Sequence, residues 1–155
     1  MSVAEYPPVS ELIPHAGPMV LLHSVIDHSR QRTRCRVVIG ANSPYHDDGI
    51  VPPWIGLEYL AQAIAVHGGL HGRAAGDPIR LGLLVGCRCL TIATTNFTCG
   101  QVLEASVARL WGERDLFAFR CTLTDSHNGS VLMHGDFVVA RADAVPFPPA
   151  RSPDE

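Results

Sequence analysis

Glu58 is the only Asp, Glu, Lys or Arg between Trp54 and Leu70, in a stretch built mostly of Leu, Ile, Ala and Gly. Burial disfavours the ionised form of a carboxyl. A carboxyl kept protonated near neutral pH is a usable general acid. Gln62 follows one helical turn later, where its side chain can orient that carboxyl by a hydrogen bond. A base is available among the eight histidines, whose ordinary pKa suits proton abstraction near neutrality. By residue type alone, His46, in the loop before the segment, has no advantage over His15 or His67. The start of a helix adds a third element. Its free N–H groups and positive dipole end can hold developing negative charge. Pro53 has no N–H, so the donor there would be Trp54 or Ile55.

These groups need a scaffold, and the hydrophobic pattern describes one. Pro53 suits the first turn of a helix and Gly68-Gly69 suit its end. Leu57, Leu60, Ala61 and Ile64 line one face, while Ile55, Tyr59, Ala63 and Val66 leave the opposite face apolar too. A helix apolar nearly all round is buried. Before it, residues 8–18 read as a short helical turn broken by prolines, with Ser10 as N-cap. Met19 to Ile26 reads as a first strand, Arg34 to Ile39 as a second, and Asn42 to Pro53 as a loop. After the helix come a Gly- and Pro-bearing link, a strand over Leu81 to Ile92, and an alternating strand over Val102 to Trp111 with Leu103, Ala105, Val107 and Trp111 on one face. Residues 112–115 form a turn. Leu116 to Leu123 then places Phe117, Phe119, Cys121 and Leu123 together. Asn128-Gly129 is a hairpin signal before a last strand, Val131 to Ala140.

The expected architecture is α+β: two strands, one long helix, then a meander of about four strands, giving one antiparallel sheet of about six strands around the helix. One sheet covers only part of an all-round apolar helix, so a second subunit is the simplest cover for the remainder. Residues 1–142 form a single domain in this reading, and the Pro-rich tail 143–155 is expected to be unstructured. There is no internal repeat.

Composition narrows the function classes. Apolar residues make up 46% and charged residues 17% of the 155, with a net charge of −3. That is a globular profile, without the basic stripe that nucleic acid requires. No apolar run is long enough to span a bilayer. The N-terminus lacks the pattern of a secretory signal, so a cytoplasmic protein is expected. The five cysteines argue against a disulfide framework. Cys87-x-Cys89 is one residue short of zinc-knuckle spacing. The two thiols would share one strand face as a reduced core pair, and no metal is expected.

Three segments carry a resemblance. Leu12-Ile-Pro-His-Ala-Gly-Pro-Met-Val-Leu-Leu22 resembles the N-terminal proline–histidine motif and first strand of the hot-dog-fold 3-hydroxyacyl-[acyl-carrier-protein] dehydratases. His46 to Gln62 resembles their catalytic histidine, loop, and helix with its acidic residue followed by Ala-Gln. Cys99-Gly100-Gln101-Val102-Leu103 resembles their Gly-Asp-x-Leu turn. Residues 48–65 are most similar to the dehydratases of aryl-polyene pigment clusters. In the common enzymes Phe-Pro-Gly follows the histidine; here Asp47-Asp48-Gly49 does, and Glu58 arrives sooner.

The resemblance implies a hot-dog fold, with the helix wrapped in a curled sheet. It implies elimination of water from a 3-hydroxyacyl thioester, with His46 and Glu58 catalytic, the thioester oxygen at the N–H of Trp54 or Ile55, and Gln62 in support. No cofactor is implied beyond the phosphopantetheine of the acyl carrier protein that presents the substrate. Arg80 and Arg88 are candidates to meet that phosphate or the acidic carrier. The resemblance also implies a homodimer, or a heterodimer with a related subunit, in which the histidine comes from one chain and the acid from the other. His15 is expected to fix the N-terminal turn, and His67 and His71 to cap helix carbonyls. Two other functions are compatible with the fold: an acyl thioesterase in which the helix carboxylate activates water without the loop histidine, and a non-catalytic partner subunit. Motifs for a nucleophile elbow, a phosphate loop or a zincin are lacking.

Overall fold

Alternation of buried and exposed residues is what builds the sheet. In the computed structural model, which describes residues 4–144, strand β2 (Arg32–Val38) buries Thr33, Cys35 and Val37 and exposes the residues between, save the half-covered Arg34. Strand β6 (Val102–Glu113) buries Leu103, Ala105 and Val107, and β7 (Leu116–Asp125) buries Phe119, Cys121 and Leu123. With β1 (Ser24–His28), β4 (Gly82–Ile92) and β8 (Val131–Arg141) they form one six-stranded antiparallel sheet. Its order is β1-β2-β6-β7-β8-β4. A separate two-stranded ladder pairs β3 (Ile50–Val51) with β5 (Phe97–Thr98), so the expected loop carries a short strand at its end.

The one long helix, α1 (Ile55–Ala75), packs on β2, β6 and β7. Leu60, Ala63 and Val66 are fully buried on it, in one core with Leu103, Leu123 and Phe137 of the sheet. Each such Leu or Phe contributes roughly 1.5–3 kcal/mol relative to leaving it exposed. Leu57, Glu58, Ala61 and Ala65 are only partly covered and Gly68 is exposed, which marks a stripe along α1 that the sheet does not reach.

Several boundaries differ from the sequence reading, each for a local reason. The helix runs straight through Gly68-Gly69 and stops at Gly76, whose φ of 75° is the left-handed cap; Gly76 N–H donates to the Arg73 carbonyl and Asp77 N–H to that of Gly72. Gly69 is there for space. A Cβ on it would lie 2.0 Å from the Leu12 carbonyl oxygen. The helix starts at Ile55, with Trp54 rather than Pro53 at its boundary. The first strand begins at Ser24, because Met19 closes a 3-10 turn over Gly17–Met19. The earlier turn, Val9–Glu11, is capped by Pro8, without a side-chain hydrogen bond from Ser10.

Two of the register shifts in the sheet redirect side chains that the sequence places on a core face. A register shift between Arg109 and Trp111 breaks the alternation, so Trp111 is 48% exposed instead of joining Leu103. A second shift, between Arg88 and Thr91, accompanies a φ of 53° at Cys89. A bulge re-aims the side chains beside it. Cys87 is therefore half-buried while Cys89 is exposed, and the two are not the core pair that was expected. Cys35 and Cys121 are the buried thiols; burial pushes the Cys35 thiol up to about 12. All five cysteines are free. A 3-10 turn covers Ala142–Ala144, so the first two residues of the supposed tail are structured; residues 145–155 lie outside the described residues. Among the described residues, no helix is long and apolar enough to cross a membrane.

Candidate active site

Glu58 occupies the first turn of α1. Its Oε1 accepts a hydrogen bond from Gln62 Nε2 at 2.9 Å, as the one-turn spacing predicts. Gln62 is fully buried and does more than orient Glu58. Nε2 also donates to the Met19 carbonyl at 2.8 Å, and Oε1 accepts from Leu21 N–H at 2.9 Å. One amide therefore ties the helix carboxyl to the chain segment that precedes β1.

That segment brings in His15. Its Nε2 lies 3.3 Å from Glu58 Oε1, across 43 residues of sequence, and Leu12 and Ile13 just before it are buried. The side chains of His15 and Glu58 keep 28% and 36% of their exposure, so both are reachable from solvent in the single chain. Glu58 is thus less buried than its apolar flanks imply. His15 Nδ1 is buried without a hydrogen-bond partner, which leaves Nε2 as the nitrogen facing the site. Both Glu58 contacts fall on Oε1.

His46 is placed differently. Its Nε2 accepts from Gly49 N–H at 2.8 Å, and the backbone N–H of His46 donates to the Ser43 carbonyl. Positive φ at Asp48 (47°) and Gly49 (80°) folds the loop back onto the ring. Within one chain His46 is not a partner of Glu58. The residue sequence reasoning assigned to turn-building, His15, is the one that meets the carboxyl. The available signal was the motif Pro14-His15 inside a segment of buried apolar residues, Leu12 and Ile13.

Of the two oxyanion donors, Ile55 N–H is already used, donating to the Pro52 carbonyl at 3.2 Å. Trp54 stands at the helix boundary with 61% of its surface exposed. Arg80 and Arg88 are not brought to Glu58. Arg80 lies 3.8 Å from Asp143, beside a hollow of about 310 Å³ lined also by Leu81 and Ala142. Arg88 is exposed on β4, in register with Asp136. A second hollow, about 330 Å³, is lined by Cys89, Arg120, Thr122, His134, Gly135 and Asp136; neither hollow includes Glu58 or His15.

His67 and His71 do not cap the helix. His67 is buried at 3% exposure with Nδ1 2.7 Å from Thr33 Oγ1, and His71 Nε2 donates to the Arg30 carbonyl at 3.2 Å. Among the described residues, no group of three or more His, Cys, Asp or Glu side chains is arranged to hold a metal ion.

Comparison with known proteins identifies the scaffold. The ApeP-like family, described as ApeP dehydratase, matches residues 7–147. A structure described as the dehydratase heterocomplex ApeI:P from Xenorhabdus doucetiae superposes with a TM-score of 0.83 and 32% identity, over 88% of this chain and 92% of that one. The PaaI protein of the E. coli phenylacetic acid degradation operon (TM-score 0.59, 8% identity, 76% and 82% covered) and zebra fish thioesterase superfamily member 2 (0.62, 13%, 86% and 91%) share the fold alone. The fold is the hot-dog fold, with the sheet left open. Compared with curated protein sequences, the chain has no match.

Proposed function

Since the chain belongs to the ApeP-like dehydratase family, we propose that it eliminates water from a 3-hydroxyacyl thioester carried on acyl carrier protein, and that Glu58 and His15 move the protons. The 3.3 Å approach of His15 Nε2 to Glu58 Oε1 carries this reading. His15 Nε2 takes the proton beside the thioester carbonyl as the C–O bond at the third carbon breaks. Glu58 gives its proton to the departing hydroxyl, which leaves as water, and a trans-2-enoyl thioester remains. Gln62 occupies Oε1 and so leaves Oε2 toward the hydroxyl. Charge gathering on the thioester oxygen is met by Trp54 N–H and the positive end of α1.

The proposed setting is fatty-acid-like or aryl-polyene biosynthesis, and the proposed assembly is a pair of hot-dog subunits, identical or related. Support comes from β4, an edge strand of the sheet on which Leu84, Val85, Leu90 and Ile92 are exposed. A long apolar edge is a template for pairing with another strand. The similar structure is described as a heterocomplex. In such a pair His46 of one subunit could face Glu58 of the other, the arrangement the family resemblance implies; the bond from Gly49 to its Nε2 speaks for His15 instead. Arg80 and Arg88 are the proposed contacts to the phosphopantetheine phosphate or to the acidic carrier.

One assay separates these assignments. 3-Hydroxyacyl-carrier-protein substrates of several chain lengths are offered, and enoyl and free-acid products are followed by mass and absorbance. His15→Ala is expected to lower turnover by on the order of two to four decades, and His46→Ala to leave it within about tenfold. The reverse pattern gives the base role to His46. Free acid in place of enoyl product makes the chain a thioesterase, and neither product makes it a partner subunit.

A further inference from the structure

Beside the second half of α1, three histidines that the proposed reaction does not use cluster together, and two of them converge on one hydroxyl. Thr33 Oγ1, on β2, lies 2.7 Å from His67 Nδ1 and 2.7 Å from His28 Nδ1. The ring centroids of His28, His67 and His71 are 5.3, 5.1 and 4.5 Å apart, and Phe119 of β7 closes over His67 at 5.3 Å. Thr33 is fully buried and His67 nearly so. The cluster is also tied outward. The backbone N–H of His28 donates to the Tyr6 hydroxyl at 3.0 Å, and the His71 ring holds the Arg30 carbonyl. It joins the N-terminal segment, the β1–β2 hairpin and the second half of α1.

A hydroxyl has a single proton. Between two ring nitrogens it donates to one and accepts from the other. One of the two imidazoles must therefore offer a bare Nδ1 and stay neutral. A proton taken up there turns the acceptor into a donor, and the bond to Thr33 is lost. The surroundings make that event costly for the folded chain. The groups acting on His67 are His71 from its own helix, His28 from β1 and Arg109 from β6, all cations when charged. The anion in the neighbourhood, Asp27, acts on His28 and is itself bound by Arg34.

We propose that the His28–Thr33–His67 bridge is a proton-sensitive latch: it pins the second half of α1 to the β1–β2 hairpin only while its acceptor ring is neutral, so acid favours the unfolded chain over the latched one. The direction follows from linkage. Burial first, then its cationic neighbours, hold the folded His67 down to about 3, against 6.5 for an ordinary histidine. Between those values the unfolded chain binds the extra proton, so stability is complete above about 6.5 and falls as pH drops. The unfolding equilibrium constant rises up to about tenfold per pH unit for each such proton.

The test is urea unfolding of the full chain at one protein concentration, at about pH 7.5, 6 and 5, for the natural protein and His67→Asn. The Asn amide can take the place of Nδ1 toward Thr33 but cannot titrate. Between about pH 6 and 5, the unfolding constant of the natural protein is expected to rise about tenfold more than that of the variant. An equal rise in both overturns the latch. Should the variant fail to fold, the ring nitrogens of the natural protein decide by NMR. A neutral, single-tautomer His67 at about pH 5 is expected, and a charged ring there overturns the proposal.

Discussion

The first turns of α1 and its later turns are built from the same apolar helix and solve opposite problems. At the start, Glu58 keeps 36% of its side-chain exposure and meets His15 and Gln62 on a single oxygen. Farther along, His67 keeps only 3% of its exposure, and a buried hydroxyl holds it among two other imidazoles. Polar groups at the open end remain accessible to a reactant. Those at the closed end are bonded to one another and to neighbouring segments, which suits stability, because a buried polar group left unpaired costs about 1–3 kcal/mol. The comparison teaches that titratable residues on one helix are told apart by access, more than by type.

The largest expected effect breaks the open end alone. Glu58→Gln keeps the shape and the contact with Gln62 but cannot supply a proton. Turnover should fall by on the order of two to four decades in kcat, while urea unfolding stays within about 0.5 kcal/mol of the natural protein. A variant with near-normal turnover would move the acid elsewhere, and an unfolded one would make Glu58 structural.

A paired substitution sharpens the contrast between stability and chemistry in mid-helix. A Cβ at Gly69 meets the Leu12 carbonyl at 2.0 Å, whereas one at Gly68 meets nothing within 4 Å. Gly69→Ala should therefore cost about 1–3 kcal/mol by overpacking. It should also displace the segment carrying His15 and lower kcat more than it raises KM. Gly68→Ala should gain roughly 0.5–1 kcal/mol from helix propensity, with activity unchanged. Denaturant unfolding of both proteins, beside their steady-state rates, checks the pair; equal effects would mean that Leu12 yields freely.

The smallest effect belongs to the surface. Arg88→Ala, on exposed β4, should alter stability by less than about 0.5 kcal/mol. If Arg88 receives the carrier, KM for carrier-bound substrate should rise a few-fold, more at low salt, with kcat preserved. An unchanged KM at low ionic strength removes Arg88 from that role.

Local pattern by itself determined a good deal of this protein. The apolar run with its single carboxyl announced α1, and the four-residue spacing of Glu58 and Gln62 announced their bond. Alternation announced Leu103, Ala105 and Val107 on one face of β6, and Asn128-Gly129 announced the β7–β8 hairpin, where Gly129 has a φ of 73°. These features depend on neighbours a few residues away, so the chain's own periodicity contains them. Tertiary structure decided the rest. Whether His15 or His46 meets Glu58 depends on a segment 43 residues distant folding onto the helix. The helix passes Gly68-Gly69 because Leu12 packs there and needs the missing side chain. His67 leaves the expected capping role because Thr33 and His28 arrive from other strands. Cys89 and Trp111 turn outward at bulges that only pairing with β8 and β7 creates. Each of these outcomes is a contact between distant stretches of chain, and the energy that selects it does not exist until both are in place.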